Sequence, residues 1–236
     1  MKYIDLNADL GESIAVMADG TQEQLLRHIT SANIACGGHA GDAASMRVTL
    51  EQCRHRQVAI GAHPSYPDRA NFGRADLAIA SADLAASITA QVEALIKIAN
   101  ELGVTVTHLK PHGALYNAAA QDSQIAQTIV EAVRRHPQLI LYGLRGSIML
   151  EVFRAAGFRT ASEVFADRAY QPDGTLRPRH LPGAVLTDPQ QIAANVIALT
   201  PQAETICIHS DTPHAIEIAQ AVRAALTAHG FTLSPI

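Results

Sequence analysis

The sequence predicts one α/β domain spanning residues 1–236, folded as a closed (β/α) barrel of about seven strands. Three observations predict it. Strand-like and helix-like segments alternate along the whole chain with no linker or composition shift, which argues a parallel sheet. No G-x-G-x-x-G follows the first strand and no G-x-x-x-x-G-K-[ST] occurs anywhere, so a closed barrel is favoured over an open nucleotide-binding sheet. Finally, three strands carry their polar residues on one face only, as a barrel with a polar interior would require.

The elements follow in order. Tyr3 to Leu6 reads as the first strand, and Thr21, with Gln24 in capping-box position, as a helix start. Ile29 to Ala35 is the second strand, and Asp42 caps a helix running to about Arg56. Val58 to Ala62 is the third strand, followed by an irregular loop from Ser65 to Arg74. Ser81 opens a long helix whose stripe is Leu84, Ile88, Val92, Leu95, Ile98 and Leu102, stopped by Gly103. Val104 to Leu109 is strand, Ile125 to Arg135 helix, Leu139 to Tyr142 strand, Ser147 to Ala156 helix, and Arg159 to Val164 strand. After a Pro/Gly/Arg-rich loop come a helix from Gln190 to Leu199 and a last strand from Thr205 to Ile208. Thr212 and Pro213 read as the cap and first position of the final helix.

Composition excludes several classes. A net charge of −4 provides no basic field for nucleic acid or an anionic membrane surface. No apolar run approaches spanning length, and the N-terminus shows no signal core. Aromatics are few and tryptophan is absent, so stacking platforms lack material. Three cysteines at unrelated spacings form neither a disulfide framework nor a thiolate zinc motif, which fits a reducing cytoplasm. Eleven histidines are the compositional oddity.

The parity rule locates the chemistry. Asp5, Asn7 and Asp9 alternate with Ile4 and Leu6; His108 and Lys110 flank Leu109; Cys207, His209 and Asp211 alternate with Ile206 and Ile208. Barrel sites form at the carboxyl ends of strands. The groups falling there are Asn7, Asp9 and Glu12; Asn33, His39 and Asp42; His63 and Asp68; Lys110 and His112; Arg145; Glu163, Asp167 and Arg168; and His209 and Asp211. This is an inventory for acid–base catalysis or for a hard metal. Asp42 reads more simply as a helix cap; for Asp167 and Arg168 a structural ion pair is the plain alternative to a role in the site. His28, His55, His136, His180, His214 and His229 read as solvated positions.

The motifs Asp5-Leu6-Asn7-Ala8-Asp9-Leu10-Gly11-Glu12, Ser31 to Asp42, Gly61-Ala62-His63-Pro64, Phe72-Gly73-Arg74, Lys110 to Asn117, Glu163 to Arg168 and Cys207 to Pro213 stand in order along essentially the whole chain. In this order they resemble the LamB/YcsF family. The resemblance implies a distorted (β/α) barrel, like those of the glycoside hydrolase/deacetylase superfamily. It also implies the A subunit of an ATP-dependent 5-oxoprolinase, opening 5-oxo-L-proline to L-glutamate with B and C partner subunits. Three positions depart from the family pattern: Ala8 stands where cysteine is usual, Gly38 where a bulky residue is usual, and Ser210 where glycine is usual. The stretch between Leu186 and Thr205 is shorter than usual. The missing cysteine argues against thiol catalysis at that point.

On this reading Asp9 or His39 is the general base for water, Lys110 with Arg168 meets phosphate or oxyanion charge, and His112 and His209 donate or orient protons. Asn7, Glu12, Asn33, His63, Arg74, Glu163, Asp167, Arg168 and Asp211 form the surrounding substrate-binding set. Without a phosphate loop the chain is expected not to bind ATP tightly alone; ATP is consumed by the complex. No metal ligand is assigned and the question of a metal is left open, as is homo-oligomer formation. Two other readings stand beside this one. The first is a metal-dependent hydrolase or deacetylase acting alone on a small amide or carbohydrate, with Asp9, His39 and His63 as ligands. The second is a non-catalytic subunit that holds the lactam.

Overall fold

The computed structural model describes residues 2–236. Seven strands, β1 (Lys2–Leu10), β2 (Ser31–Ala35), β3 (Ala59–His63), β4 (Val106–Leu109), β5 (Ile140–Leu144), β6 (Thr160–Phe165) and β7 (Thr205–Ile208), pair in parallel in sequence order. The ring closes because β1 pairs with β7 through Asp5–Ala8 and with β2 through Asn7–Leu10. An eighth strand, β8 (Phe231–Leu233), lies outside the ring and pairs with Lys2–Ile4 of β1. β1 is therefore long enough to serve two partners on one side at different heights. The expectation of about seven strands holds for the barrel; β8 is an addition to it.

The helices are α1 (Ile14–Ala18), α2 (Thr21–Leu25), α3 (Ala43–Arg56), α4 (Ser81–Glu101), α5 (Gly113–Gln121), α6 (Ser123–Val133), α7 (Ile148–Ala155), α8 (Pro189–Leu199) and α9 (Ala215–Ala228). α4 buries Leu84, Ile88, Val92, Leu95 and Ile98, one apolar stripe at helical spacing. Each such side chain stabilises by about 1.5–3 kcal/mol. Asp42 caps α3 in a reciprocal box with Ser45, as expected of it.

Two helix starts differ from expectation. α2 is capped by Gly20 at φ 82°, and its Thr21 N–H is taken by Asp19 Oδ1 at 2.9 Å, so Thr21 is not the cap. α9 begins at Ala215 after His214 in the left-handed region, not at Pro213. The Thr212 hydroxyl is drawn away to the Asp167 carboxylate at 2.6 Å, a buried charge-assisted bond stronger than a cap.

The two faces of the barrel wall separate cleanly. Ile4, Leu6, Ala8, Ile206 and Ile208 join the apolar cluster behind the sheet. Asp5, Asn7, Asp9, Ser31, Asn33, His108, Lys110, Glu163 and Thr205 are also buried, on the opposite parity, and fill the lumen with polar groups. Ala8 thus lies behind the wall, so a thiol at that position would face away from the mouth. Asp5 at the bottom accepts from Thr30, Ser31, Tyr142 and Thr205 at 2.6–3.2 Å. These four donors stabilise its charge, but burial outweighs them and its pKa is raised.

Candidate functional site

Above Asp5 lies a layer built around Lys110, the residue following β4. Its ammonium is within 3.0 Å of Asp9 Oδ1, 3.2 Å of Glu163 Oε1, 3.4 Å of Asn7 Oδ1 and 2.9 Å of Cys207 Sγ. Burial opposes the charge on Lys110, but Asp9, Cys207 and Glu163 together hold its pKa well above the lysine range. Asp9 is likewise pushed up by burial, and the charges of His63 and Lys110 bring it well below the carboxylate range. Asn33 donates to both Asn7 Oδ1 and Asp9 Oδ1 at 2.8 Å. His108 reaches Asn33 Oδ1 at 3.1 Å. Asn7 donates to Glu163 and to Thr205.

The next layer holds Glu12, His39, His63 and His112, contributed by the loops after β1 and β2, the end of β3 and the loop after β4. Glu12 Oε1 lies 2.9 Å from His39 Nε2, 3.2 Å from His112 Nδ1 and 3.7 Å from His63 Nε2. Burial would raise the Glu12 pKa; hydrogen bonds from His112 and His39 reverse the sign and lower it strongly. Burial in turn lowers His39 to about 4 and also depresses His112, with Glu12 opposing in both cases. The loop bearing Phe72 and Gly73 presses down on this layer. Gly73 has φ 63°, and a Cβ there would sit 2.8 Å from His39 Cβ, so only glycine fits.

The opposite wall carries a dyad. His209 Nδ1 is 2.9 Å from Asp167 Oδ1, and Asp167 Oδ2 also accepts from the His209 backbone N–H and Thr212. Hydrogen bonding through Nδ1 leaves Nε2 as the unprotonated nitrogen of the neutral ring. Arg168 does not pair with Asp167: its guanidinium donates to the Ala184 and Arg177 carbonyls. Burial, reinforced by Arg179, lowers its pKa to about 10. Arg74 binds Asp211 at 2.5 Å across the rim, with Arg179 3.6 Å from the same carboxylate.

These walls enclose a cleft of about 1120 Å³ at the carboxyl end of the strands, lined by Asp9, His63, Arg74, Lys110, His112, Arg168 and His209 among others. Asn7, Asn33 and Glu163 support its floor, Glu12 and His39 one wall, and Asp167 and Asp211 the other. Three strand-end residues stand apart. Asp42 caps α3, Asp68 bonds within its own loop to Asn71, and Arg145 ties down the Leu199 and Pro201 carbonyls. His180, read as merely solvated, lines the cleft. Sequence parity places His108 and Cys207 on the lumen face, but gives no hint that Cys207 Sγ touches Lys110 Nζ.

The arrangement offers a buried cation, an oriented imidazole and a basic rim, which suits addition of water to a carbonyl-type carbon with charge developing on oxygen or phosphate. No helix among the described residues is long and apolar enough to cross a membrane.

Comparison with known proteins agrees with this architecture. The chain is 42% identical to a 5-oxoprolinase A subunit of Pseudomonas syringae pv. tomato over 250 aligned residues, covering 100% of this chain and 98% of that one. It is 44% identical to the 5-oxoprolinase A subunit of Paracidovorax citrulli, covering 99% of each. The crystal structure of a lactam utilization protein from Thermus thermophilus superposes with a TM-score of 0.91 at 36% identity, over 100% of both chains. A family 4 carbohydrate esterase from Streptomyces lividans shares the fold alone, with a TM-score of 0.53 at 13% identity over 100% of this chain and 92% of that one. The profile of the LamB/YcsF family matches residues 4–236, and the chain belongs to that family.

Proposed function

We propose that this chain is the A subunit of a 5-oxoprolinase, opening the lactam ring of 5-oxo-L-proline to give L-glutamate, with ATP consumed by B and C partner subunits. The observation that carries the reading is the buried Lys110 ammonium at the cleft floor facing the Asp167-oriented His209, on a chain aligned end to end with relatives of that name.

A lactam is resonance-stabilised and a poor electrophile. Phosphorylation of its oxygen by a partner supplies the missing activation. In this chain His209 Nε2 takes the proton of the attacking water, while Asp167 stabilises the resulting imidazolium. Both Asp9 oxygens are already occupied, Oδ1 by Lys110 and Asn33 and Oδ2 facing His63, so Asp9 anchors Lys110 in preference to acting as base. Lys110 favours the charge growing on oxygen through its positive field beneath the cleft, since its own N–H groups are committed to Asp9, Glu163 and Cys207. The adduct loses its hydroxyl proton as the C–N bond breaks, the departing nitrogen takes a proton that the same imidazolium is placed to return, and the γ-glutamyl phosphate so formed is split by a second water into glutamate and inorganic phosphate. Arg74 and Arg168 at the rim supply positive charge for the substrate carboxylate and the phosphate.

The test is 5-oxoproline-dependent glutamate formation and ATP hydrolysis by the partner subunits, with and without this chain. Glutamate should form only when all are present. Undiminished glutamate formation without this chain would end the reading.

A further inference from the structure

His63 and His112 point two nitrogens at each other, and their outer nitrogens decide what those two carry. His63 Nδ1 lies 2.7 Å from the Lys110 carbonyl, and His112 Nε2 lies 3.0 Å from the Phe72 carbonyl. A carbonyl only accepts, so both outer nitrogens bear the ring proton. In neutral rings His63 Nε2 and His112 Nδ1 are then bare lone pairs, and they stand 3.1 Å apart with nothing to share. Glu12 Oε1 adds a carboxylate oxygen 3.2 Å from one and 3.7 Å from the other. Asp9 Oδ2 is 3.3 Å from His63 Nε2. All four side chains are at most 5% exposed, so water does not screen this convergence of electron-rich atoms. A second proton on one ring, shared with Glu12 or Asp9, answers this convergence in one way, and a metal ion held between the two nitrogens answers it in another.

We propose that this nest binds a divalent transition metal of the zinc class, through His63 Nε2, His112 Nδ1 and the Glu12 carboxylate, with Asp9 beside it. Two imidazoles and a carboxylate are the donors such an ion takes when a position is left open for water or substrate. Backbone carbonyls fixing the outer N–H of each histidine are the usual supporting shell of metal-bound imidazole.

Ring geometry separates ligands from neighbours. His63 and His112 stand at 88°, so one point can lie in both ring planes, as in-plane lone pairs require. His39 lies flat on His112, centroids 3.6 Å apart and planes within 3° of parallel. Near-parallel stacked planes share no point at the site, so His39 does not ligate the ion His112 holds. It is a positioning residue that orients Glu12 through Nε2 at 2.9 Å.

Metal binding here does not depend on the substrate being a lactam, and its test reads binding, not turnover. The full chain, stripped with a chelator and dialysed, is titrated with Zn²⁺ by calorimetry, and its Co²⁺ form is measured by X-ray absorption. One equivalent should bind, with two imidazoles among the scatterers. His63→Ala and His112→Ala should each weaken binding at least ~100-fold, and His39→Ala, as outer-shell loss, only about 10–100-fold with stoichiometry kept. No stoichiometric uptake by the wild-type chain overturns the proposal, as does an absorption spectrum with only water-like oxygen scatterers. Since both readouts use the wild-type protein, a variant that fails to fold does not blunt the test.

Discussion

The Asp167 carboxylate holds His209 at two points, the ring through Nδ1 at 2.9 Å and the backbone N–H at 3.1 Å. Burial raises the Asp167 pKa, but the His209 charge and hydrogen bonds from His209 and Thr212 more than reverse this, leaving it lowered. Asp167→Asn keeps the shape and presents an amide that favours the wrong tautomer. Turnover in the reconstituted complex should fall about 10²–10⁴-fold with KM little changed. A loss confined to KM would show that the pair serves binding alone.

Lys110 is the only cation within reach of Glu163 and Asp9 Oδ1 among the described residues. Lys110→Met leaves two buried carboxylates without it, a loss of about 3–5 kcal/mol in unfolding free energy measured in urea. Lys110→Arg should not rescue turnover, because a planar fork cannot occupy a site shaped for a compact ammonium. A Lys110→Met protein as stable as wild type would contradict the pairing.

Stability should fall as pH drops from about 6.5. Burial, reinforced by the charges of Lys110 and His63, lowers His108 to about 3. The unfolded chain therefore takes a proton on His108 below about 6.5, and the folded chain does not until about 3. The unfolded state binds more protons across that window, so stability is lost with falling pH at up to about 1.4 kcal/mol per pH unit for this ring. His108→Phe, which can keep the stack on Tyr142, should flatten the slope of urea midpoint against pH between 6.5 and 5. An unchanged slope would locate the effect elsewhere.

Gly61 in β3 faces the His108 ring so closely that a Cβ would fall 2.2 Å from it. Gly61→Ala should cost about 1–3 kcal/mol by overpacking. In a His108→Ala background the same substitution should cost much less, a coupling that a double-mutant cycle of melting curves measures. Additive costs would mean that the strain lies in the strand and not in the ring contact.

Much of this molecule is legible in the order of its residues. Period-two alternation in three strands predicts a polar lumen, because side-chain parity in a strand is fixed by backbone geometry. Asp42 can be read as a cap because capping is local. Non-local competition defeats other readings. Thr212 has the chemistry of a cap, but Asp167, 45 positions earlier in the chain, claims its hydroxyl. Three residues of β8 are too few for a period and are ordered by pairing with β1. Glu12, His63 and His112 can be recognised as strand-end groups from their positions alone. Their convergence depends on ring orientations set by the carbonyls of Lys110 and Phe72, which no spacing encodes.

The charged lumen also bears on how the barrel assembles. Asp9 comes from β1, Lys110 from the end of β4 and Glu163 from β6, so the cluster closes a loop of 101 residues between Asp9 and Lys110 and one of 156 between Asn7 and Glu163. A half-built barrel would strand carboxylates in an apolar pocket without their ammonium, and its free energy would rise instead of falling. Partial structures are thereby penalised, and the chain is driven toward all-or-none folding with a slow, topology-limited barrier. The groups that make the cleft reactive are the ones that make its assembly cooperative.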